Sequence, residues 1–247
     1  MKKFIFLLSI FFILSSCNMS QNPCKNIKET DLKNELKKAF NVEFDKILEK
    51  NDIKGTNLCQ VVLQMGGNLG ILYVSPDVKT FFIGGDIYKD GVFLSKATLN
   101  KIQEKNFEVY KNDIEKIIAF SYKPEGAQKF IYMITDPDCP FCEKSKALVK
   151  QWADARKIEV KVILFPLERL HPQAKEKSVK GICSGMQFKD YLDSNWSGKI
   201  CDEGLKKIED SILLMQKIGI NGTPSFISYN GKRFVGFSPE GLDSIVQ

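Results

Sequence analysis

The spacing of hydrophobic and polar residues changes along the chain, and these changes divide it into successive regions. Between Asp31 and Lys50, apolar residues recur at steps of three and four, which predicts one or two amphipathic helices. Residues 58–93 instead contain short runs of β-branched and aromatic residues between glycine, proline and aspartate turns, which predicts a small antiparallel sheet. We therefore predict an N-terminal domain at residues 31–94.

A long polar segment follows the predicted sheet. Residues 95–120 contain neither proline nor glycine and carry only a thin apolar stripe. A helix of this kind is typical of a rigid connector between domains. The segment Tyr122–Gly126 contains a proline and ends the helix, so the sequence predicts a linker helix at 95–123 and a second domain at 124–247.

The second domain begins with a strand, a helix and another strand. The apolar run Phe130–Thr135 precedes a charged helical segment, Pro140–Arg156, and a strand of the fully buried type, Val160–Phe165. Two strands joined in this way form a right-handed parallel β-α-β unit. The inward face of the helix is predicted from its periodicity and comprises Phe141, Ser145, Leu148, Trp152 and Ala155.

The rest of the second domain combines helices with a hairpin. Residues 173–218 contain helical segments, and two short strands between 225 and 237 are joined by an Asn230-Gly231 turn. Ser238 has the position of an N-cap for a short final helix. The complete pattern predicts an α+β protein with a small antiparallel sheet first and an α/β domain second.

The N-terminus has the composition of an export signal. Lys2 and Lys3 precede the apolar run Phe4–Leu14, which is too short to span a bilayer as a helix. The small residues before Cys17 resemble the bacterial lipoprotein box, in which the cysteine is acylated and becomes the first mature residue. This resemblance implies a signal peptide at 1–16, lipidation of Cys17, and a tether at 17–30 on a membrane surface. The alternative is an ordinary secretory signal with a free Cys17.

Charge excludes one class of partner. The 247 residues carry a formal net charge of +6, from 36 basic and 30 acidic side chains. The lysines are spread among glutamates, and the sequence contains no dense basic block with interleaved aromatic residues. We therefore do not expect nucleic-acid binding.

Cysteines are frequent for a chain of this length. The seven are Cys17, Cys24, Cys59, Cys139, Cys142, Cys183 and Cys201. An exported chain meets an oxidising compartment, where disulfides form. Without Cys17, six remain, and six cysteines allow about 15 connectivities between which sequence alone does not choose. A bridge between Cys183 and Cys201 would stabilise the fold by roughly 3 kcal/mol. Because Cys139 and Cys142 form a closely spaced pair of their own, Cys24 and Cys59 would then be left for each other.

Zinc is an alternative use of four of these thiols. Structural zinc sites bring two closely spaced cysteine pairs together, and the separation of Cys183 from Cys201 is too wide for a second pair. The one histidine, His171, has no ligand partner near it in the sequence. We therefore predict no metal site.

The segment Cys139-Pro140-Phe141-Cys142 has the spacing of a redox pair at a strand-to-helix junction. The first sulfur lies at a helix N-terminus, where unpaired N–H groups and the helix dipole stabilise a thiolate. The second lies one turn later. Two acids, Asp136 and Asp138, precede the pair, and their charge would oppose the thiolate. Alternatively, Asp138 is a solvent-facing turn residue.

The second domain resembles the thioredoxin fold. The order of its elements agrees with that fold, and Gly222-Thr223-Pro224 stands just before the hairpin, where thioredoxin-like proteins have a cis-proline that faces the cysteine pair. The mature chain as a whole resembles the bacterial DsbC/DsbG family of thiol:disulfide interchange proteins. Thr223 is the residue type found in those two proteins, and Thr135-Asp136 also matches.

The resemblance implies the architecture and the roles of several residues. It implies a dimerising N-terminal domain, a linker helix and a thioredoxin domain whose helical insert carries a structural disulfide, here Cys183–Cys201. Cys139 is then the nucleophile and Cys142 the resolving thiol, while Thr223 and Pro224 dock the substrate chain. Phe141 offers apolar surface to unfolded clients, with packing as the alternative. No cofactor is needed.

The resemblance also implies partners and a compartment. The substrates are misoxidised or unfolded exported proteins, the electron donor is a membrane reductase of the DsbD type, and the protein is a homodimer on the periplasmic side of a membrane. The pair Pro140-Phe141 departs from the Gly-Tyr common in DsbC and is nearer the Pro-Tyr of glutaredoxins. Because this pair influences the reduction potential, a reductase or oxidase, for example in cytochrome c maturation, stays open as an alternative. Two further alternatives are a chaperone or binding module without redox turnover and a structural lipoprotein with an inert thioredoxin scaffold.

Overall fold

The computed structural model describes residues 22–66 and 68–247, so Cys17 and the predicted signal peptide lie outside the described residues. The chain forms two compact units. One consists of residues 22–65 together with Gly70–Gly85, and the other mainly of Asp86–Gln247. Across the two described ranges, no helix is both long enough and apolar enough to cross a membrane.

The N-terminal unit combines one helix with a four-stranded sheet in the order β1-β2-β3-β4. Its elements are α1 (Glu29–Phe40), β1 (Lys46–Asp52), β2 (Cys59–Met65), β3 (Asn68–Val74) and β4 (Phe81–Ile83). Strands β1 and β2 pair antiparallel, as do β3 and β4. Leu32 and Leu36 of α1 share a core with Val61 and Val74 of the sheet. The predicted antiparallel sheet is therefore present.

The prediction of helix as far as Lys50 is wrong in its second half. The helix ends at Phe40 because Asn41 adopts the left-handed conformation and its N–H bonds to the last turn. Residues 46–52 form β1, in which exposed and half-buried positions alternate. Phe44 and Ile47 fit the helical spacing, but they reach the same core from a loop and a strand.

The second unit is built on a five-stranded sheet in the order β11-β10-β8-β9-β7. Strands β8 and β9 are parallel, and the other neighbours are antiparallel. In chain order its elements are β5 (Tyr88–Lys89), β6 (Val92–Phe93), α2 (Leu94–Lys116), β7 (Phe120–Tyr122), β8 (Lys129–Thr135), α3 (Pro140–Arg156), β9 (Ile158–Leu164), α4 (Ala174–Cys183), α5 (Phe188–Leu192), α6 (Asp202–Lys217), β10 (Ser225–Ser228), β11 (Arg233–Val235) and α7 (Pro239–Val246).

Each face of this sheet has its own hydrophobic core. Successive side chains of a strand point to opposite faces, so Ile131 and Met133 of β8 join a core with helices α3, α5 and α7. Tyr132 and Ile134 join a second core with α2 and α6. The parallel strands β8 and β9 are consequently buried on both faces of the sheet, which explains the apolar runs in their sequences.

Helix α2 is more than a connector. Phe107, Ile114 and Ile117, the last just beyond the helix, belong to the core on one face of the five-stranded sheet. Gly231, in the β10–β11 turn, lies so close to Phe107 that an added Cβ would stand 2.8 Å from the Phe107 Cβ. The helix and the strand β7 that follows it are therefore parts of the second unit, although the sequence pattern places both in the linker segment.

The predicted fold class is confirmed. The protein is α+β, with a small antiparallel sheet at the N-terminus and a domain built on a mixed five-stranded sheet after it. Helices α4, α5 and α6 lie between β9 and β10 and form the helical insert.

Candidate active site

The two free cysteines among the described residues, Cys139 and Cys142, lie where β8 ends and α3 begins. Cys139 is the N-cap of α3, and its Sγ accepts a hydrogen bond from the backbone N–H of Cys142 at 3.4 Å. Pro140 occupies the first helical position, where its missing N–H costs no hydrogen bond. A sulfur atom in this position lies at the positive end of the helix dipole, next to the unpaired N–H groups of the first turn.

The loop before β10 lies against the same sulfur. Strand β10 pairs with β8 so that Ser225 stands opposite Ile134. This register brings Thr223 next to the turn that carries Cys139, and the Sγ of Cys139 contacts the Thr223 carbonyl oxygen at 3.4 Å. The Thr223–Pro224 peptide bond is cis. The structure thus brings together Cys139, Cys142 and the Thr223-Pro224 pair, which are far apart in the sequence.

Cys142 is the more deeply buried of the two thiols, with 1% of its surface exposed. Burial raises the pKa of its thiol from the ordinary 9.0 to about 12, although the hydroxyls of Thr135 and Thr223 act in the opposite direction. Cys142 is therefore a protonated thiol at neutral pH. This asymmetry favours Cys139 as the attacking sulfur and Cys142 as the second thiol.

An apolar groove runs beside the pair. It has a volume of about 380 Å³, and it is lined by Phe141, Leu148, Pro224, Val235, Phe237 and by polar residues that include Lys144. Phe141 is 69% exposed, and Val235 and Leu148 also face solvent. Exposed apolar side chains that cluster at a reactive group are typical of a binding surface.

The predicted inward face of α3 is wrong at three of its five positions. Phe141, Leu148 and Ala155 are exposed, whereas Ser145 and Trp152 are buried with Cys142, Val149 and Ala153. The cap at Cys139 fixes where the helix starts, and the helix is rotated so that Cys142 lies inside. Periodicity alone does not fix this rotation, because apolar residues occur on both sides of α3.

Asp136 has a structural task in the turn before the cysteines. Its side chain is fully buried, and its carboxylate accepts hydrogen bonds from the N–H groups of Asp138 and Leu167, both at 2.7 Å. The Nδ1 atom of His171 lies 3.0 Å from the same carboxylate. His171, which has no partner nearby in the sequence, is thus joined to the redox turn by tertiary structure.

Asp138 is neither an unpaired acid nor a simple solvent-facing residue. Its carboxylate forms an ion pair with Lys177 of α4, and its side chain is 24% exposed. The sequence contained no signal for this pair, because the two residues are 39 positions apart.

Lys146 is a buried charge that sequence reasoning missed. It is 4% exposed and contacts Glu143 at 2.7 Å, the Ser194 hydroxyl, and the Tyr191 carbonyl at 3.1 Å. The Tyr191 hydroxyl in turn lies 3.0 Å from that of Thr135, and burial raises the pKa of Tyr191, which stays neutral. The i,i+3 spacing of Glu143 and Lys146 was visible in the sequence, but it is usually a surface pair.

The other four described cysteines form two disulfides, Cys24–Cys59 and Cys183–Cys201. Cys201 is the N-cap of α6, and its Sγ accepts a hydrogen bond from the Gly204 N–H at 3.3 Å. Because Cys183 and Cys201 are bonded to each other, the alternative of four zinc-binding thiolates does not apply. Cys24, within the predicted tether, is fixed to β2 of the N-terminal unit.

Comparison with known proteins places the second unit in a family of thioredoxin-like domains. The family model described as a thioredoxin-like domain matches residues 119–244, and the chain belongs to that family. The chain is also similar to the thiol:disulfide interchange protein DsbG of Pseudomonas aeruginosa, with 24% identity over 173 residues, 65% of this chain and 66% of that protein. DsbG of Escherichia coli is 22% identical over 165 residues, 62% of this chain and 65% of that protein.

These matches confirm the resemblance to the DsbC/DsbG family. The chain spans slightly less than two thirds of the length of each of these two relatives. Among solved structures, DsbG of Helicobacter pylori is similar with a TM-score of 0.38 and 18% identity, over 81% of this chain and 100% of that one.

Proposed function

We propose that the protein is a thiol:disulfide interchange protein that isomerises or reduces incorrect disulfides in exported proteins. The observation that carries this proposal is the position of Cys139: it caps α3, accepts the Cys142 N–H and touches the Thr223 carbonyl. One sulfur is thus placed for attack, and a second, buried thiol lies one helical turn away.

The chemistry requires only these two sulfurs. The Cys139 thiolate attacks a client disulfide, a new S–S bond forms, and the client's other sulfur leaves as a thiolate and takes a proton from solvent. In isomerisation, a client thiolate then attacks the mixed disulfide and frees Cys139 without net electron transfer. In reduction, Cys142 loses its proton and attacks Cys139, so that the client leaves with two electrons and Cys139–Cys142 becomes a disulfide.

The neighbouring surface suits an unfolded client. Phe141, Leu148, Val235 and Phe237 line the apolar groove beside Cys139, and misoxidised chains expose the apolar side chains that such a groove accepts. Thr223 and Pro224 also line the groove, and the Thr223 carbonyl contacts the Cys139 sulfur, so the client backbone would dock there.

The wider setting belongs to the same proposal. A membrane thiol reductase of the DsbD type would return electrons to Cys139–Cys142, and two copies would pair through their N-terminal units. The export signal and the acylation of Cys17 would hold the protein on the periplasmic side of a membrane. The domain roles would follow: residues 1–16 as the signal, a tether before Cys24, dimerisation by the N-terminal unit, and catalysis by the second unit, which includes α2.

Refolding of a scrambled multi-disulfide protein tests the proposal. The reduced protein should restore native disulfides, and Cys139→Ala should abolish this activity because the attacking sulfur is lost. Cys142→Ala should retain attack but accumulate a mixed disulfide with the client, which mass spectrometry detects. No rescue by the reduced protein, or full rescue by Cys139→Ala, would contradict interchange, and the second result would favour a chaperone without redox turnover.

A further inference from the structure

The residue directly before the nucleophile carries a negative charge that the helical insert compensates. Asp138 precedes Cys139 in the chain, and its carboxylate forms an ion pair with the ammonium group of Lys177 on α4. The two side chains are 24% and 34% exposed, so the pair is partly shielded from solvent. It therefore connects the insert with the redox turn.

The turn itself is held by backbone contacts, which fixes where the Asp138 side chain begins. The Asp138 N–H donates to Asp136 Oδ1 at 2.7 Å, and the Cys139 N–H donates to the Asp136 carbonyl oxygen at 3.2 Å. Asp136 is in turn held by Leu167 and His171. Because the turn is fixed in this way, the Asp138 carboxylate is carried by the same turn as the sulfur, one residue before Cys139.

Other lysines of α4 are directed elsewhere. Lys175 lies near Glu168 and Glu209, and Lys180 pairs with Glu176 one turn earlier in the same helix. Lys177 is distinguished from them because its acidic partner adjoins a redox-active cysteine.

An unpaired carboxylate at this position would repel a thiolate on Cys139 and oppose the favourable effect of the helix N-terminus. A cation bound to that carboxylate opposes this repulsion, because its charge has the opposite sign. Since the pair is partly exposed, salt screens this effect to some extent.

We propose that Lys177 is a positioning residue of the redox site, which holds the Asp138 carboxylate and offsets its charge beside Cys139. The insert then sets the reactivity of the cysteine pair in addition to covering the sheet. This inference rests on the proposed interchange function, and it adds a residue that controls how readily the attacking sulfur ionises.

Four variants of the full chain test this role: Lys177→Gln, Asp138→Asn, the double variant, and Lys180→Gln as a matched control on the same helix. The first readout is the rate at which iodoacetamide alkylates Cys139 at neutral pH, followed by mass spectrometry of the peptide that carries it. The second is the ratio of dithiol to disulfide in a glutathione buffer.

The two single variants should act in opposite directions. Lys177→Gln should slow alkylation by about threefold or more, because the acid is left uncompensated, and should shift the glutathione equilibrium toward the disulfide. Asp138→Asn should speed alkylation and shift the equilibrium toward the dithiol. The alkylation rate of the double variant should be close to that of the wild type, and Lys180→Gln should behave like the wild type. Added salt should reduce the differences between the single variants and the wild type.

Changes of the same sign in both single variants would indicate a purely structural role for the pair and would overturn the proposal, as would Lys177→Gln behaving like wild type. Failure of the proposed function looks different. In that case the wild-type cysteines themselves would not exchange with glutathione or with a client disulfide, whatever residue stands at 177.

Discussion

At the scale of single residues, position in the helix distinguishes the two cysteines, both of which are buried. Both lie at the start of α3, but Cys139 caps the helix while Cys142 is enclosed by the sheet and helix. A buried thiol resists ionisation because the surroundings solvate the thiolate poorly. Local sequence brings the two sulfurs within one turn, and the fold then makes them unequal.

This inequality predicts a loss of stability at high pH. Burial raises the pKa of Cys142 to about 12 in the folded, reduced protein, from 9.0 for an exposed thiol. A pKa raised by folding contributes stability that is complete below pH 9 and is lost as the pH rises toward 12. At pH 10 the loss should be about 1 kcal/mol.

Urea unfolding of the reduced protein between pH 8 and pH 10 measures this effect. Cys142→Ala supplies the control, because it lacks this titrating thiol and keeps every other group that titrates in this range, including the tyrosines and lysines. The difference in unfolding free energy between the two proteins should shrink as the pH rises. A difference that stays constant across this range would contradict the assigned burial effect.

At the scale of elements, the insert is held in place by covalent and close-packed contacts. The Cys183–Cys201 bond joins the end of α4 to the start of α6. Gly204, in the first turn of α6, lies directly beside this bond, and an added Cβ would collide with the Cys183 Sγ. Glycine at this position therefore allows the two helices to approach each other.

Gly204→Ala should consequently destabilise the protein by about 1–3 kcal/mol, because α6 must move away from the disulfide. Thermal unfolding checks this result. Gly85→Ala is a suitable control, since nothing lies within 4 Å of its added Cβ. In a Cys183→Ala/Cys201→Ala background, where the sulfur is absent, the same change at Gly204 should cost less, and an equal cost in both backgrounds would refute the explanation.

At the scale of the whole molecule, the second unit contains the thioredoxin-like domain together with helix α2. Its five-stranded sheet has one core on each face, and α2 supplies part of the second core. The family model begins at residue 119, after α2. Phe107, Ile114 and Ile117 precede that boundary, although they are as buried as residues of the sheet.

A fragment of residues 86–247 should therefore fold by itself, and a fragment of residues 119–247 should not. The shorter fragment lacks these three side chains of the second core, and each such loss costs about 2–5 kcal/mol against a total stability of about 5–15 kcal/mol. Cooperative unfolding, followed by circular dichroism, should be seen only for the longer fragment. Equal stability of the two would show that α2 is a dispensable connector.

Sequence by itself determined the features that depend on neighbouring residues. The order of strands and helices in the second domain, the redox pair at a helix start and the Asn-Gly hairpin all follow from spacing over a few positions. The same reasoning misplaced the end of α1, because the helical spacing of Phe44 and Ile47 continues into a strand. Local periodicity describes one element at a time, and it fails where two elements share the same spacing.

Tertiary structure alone decided which groups meet around the sulfurs. His171 reaches Asp136, Lys177 reaches Asp138, and Lys146 is enclosed by the insert, because the chain after β9 folds back over the end of β8. It also decided which face of α3 is buried and that α2 belongs to the core. These contacts join residues that lie tens of positions apart, so they depend on the path of the whole chain rather than on any local pattern.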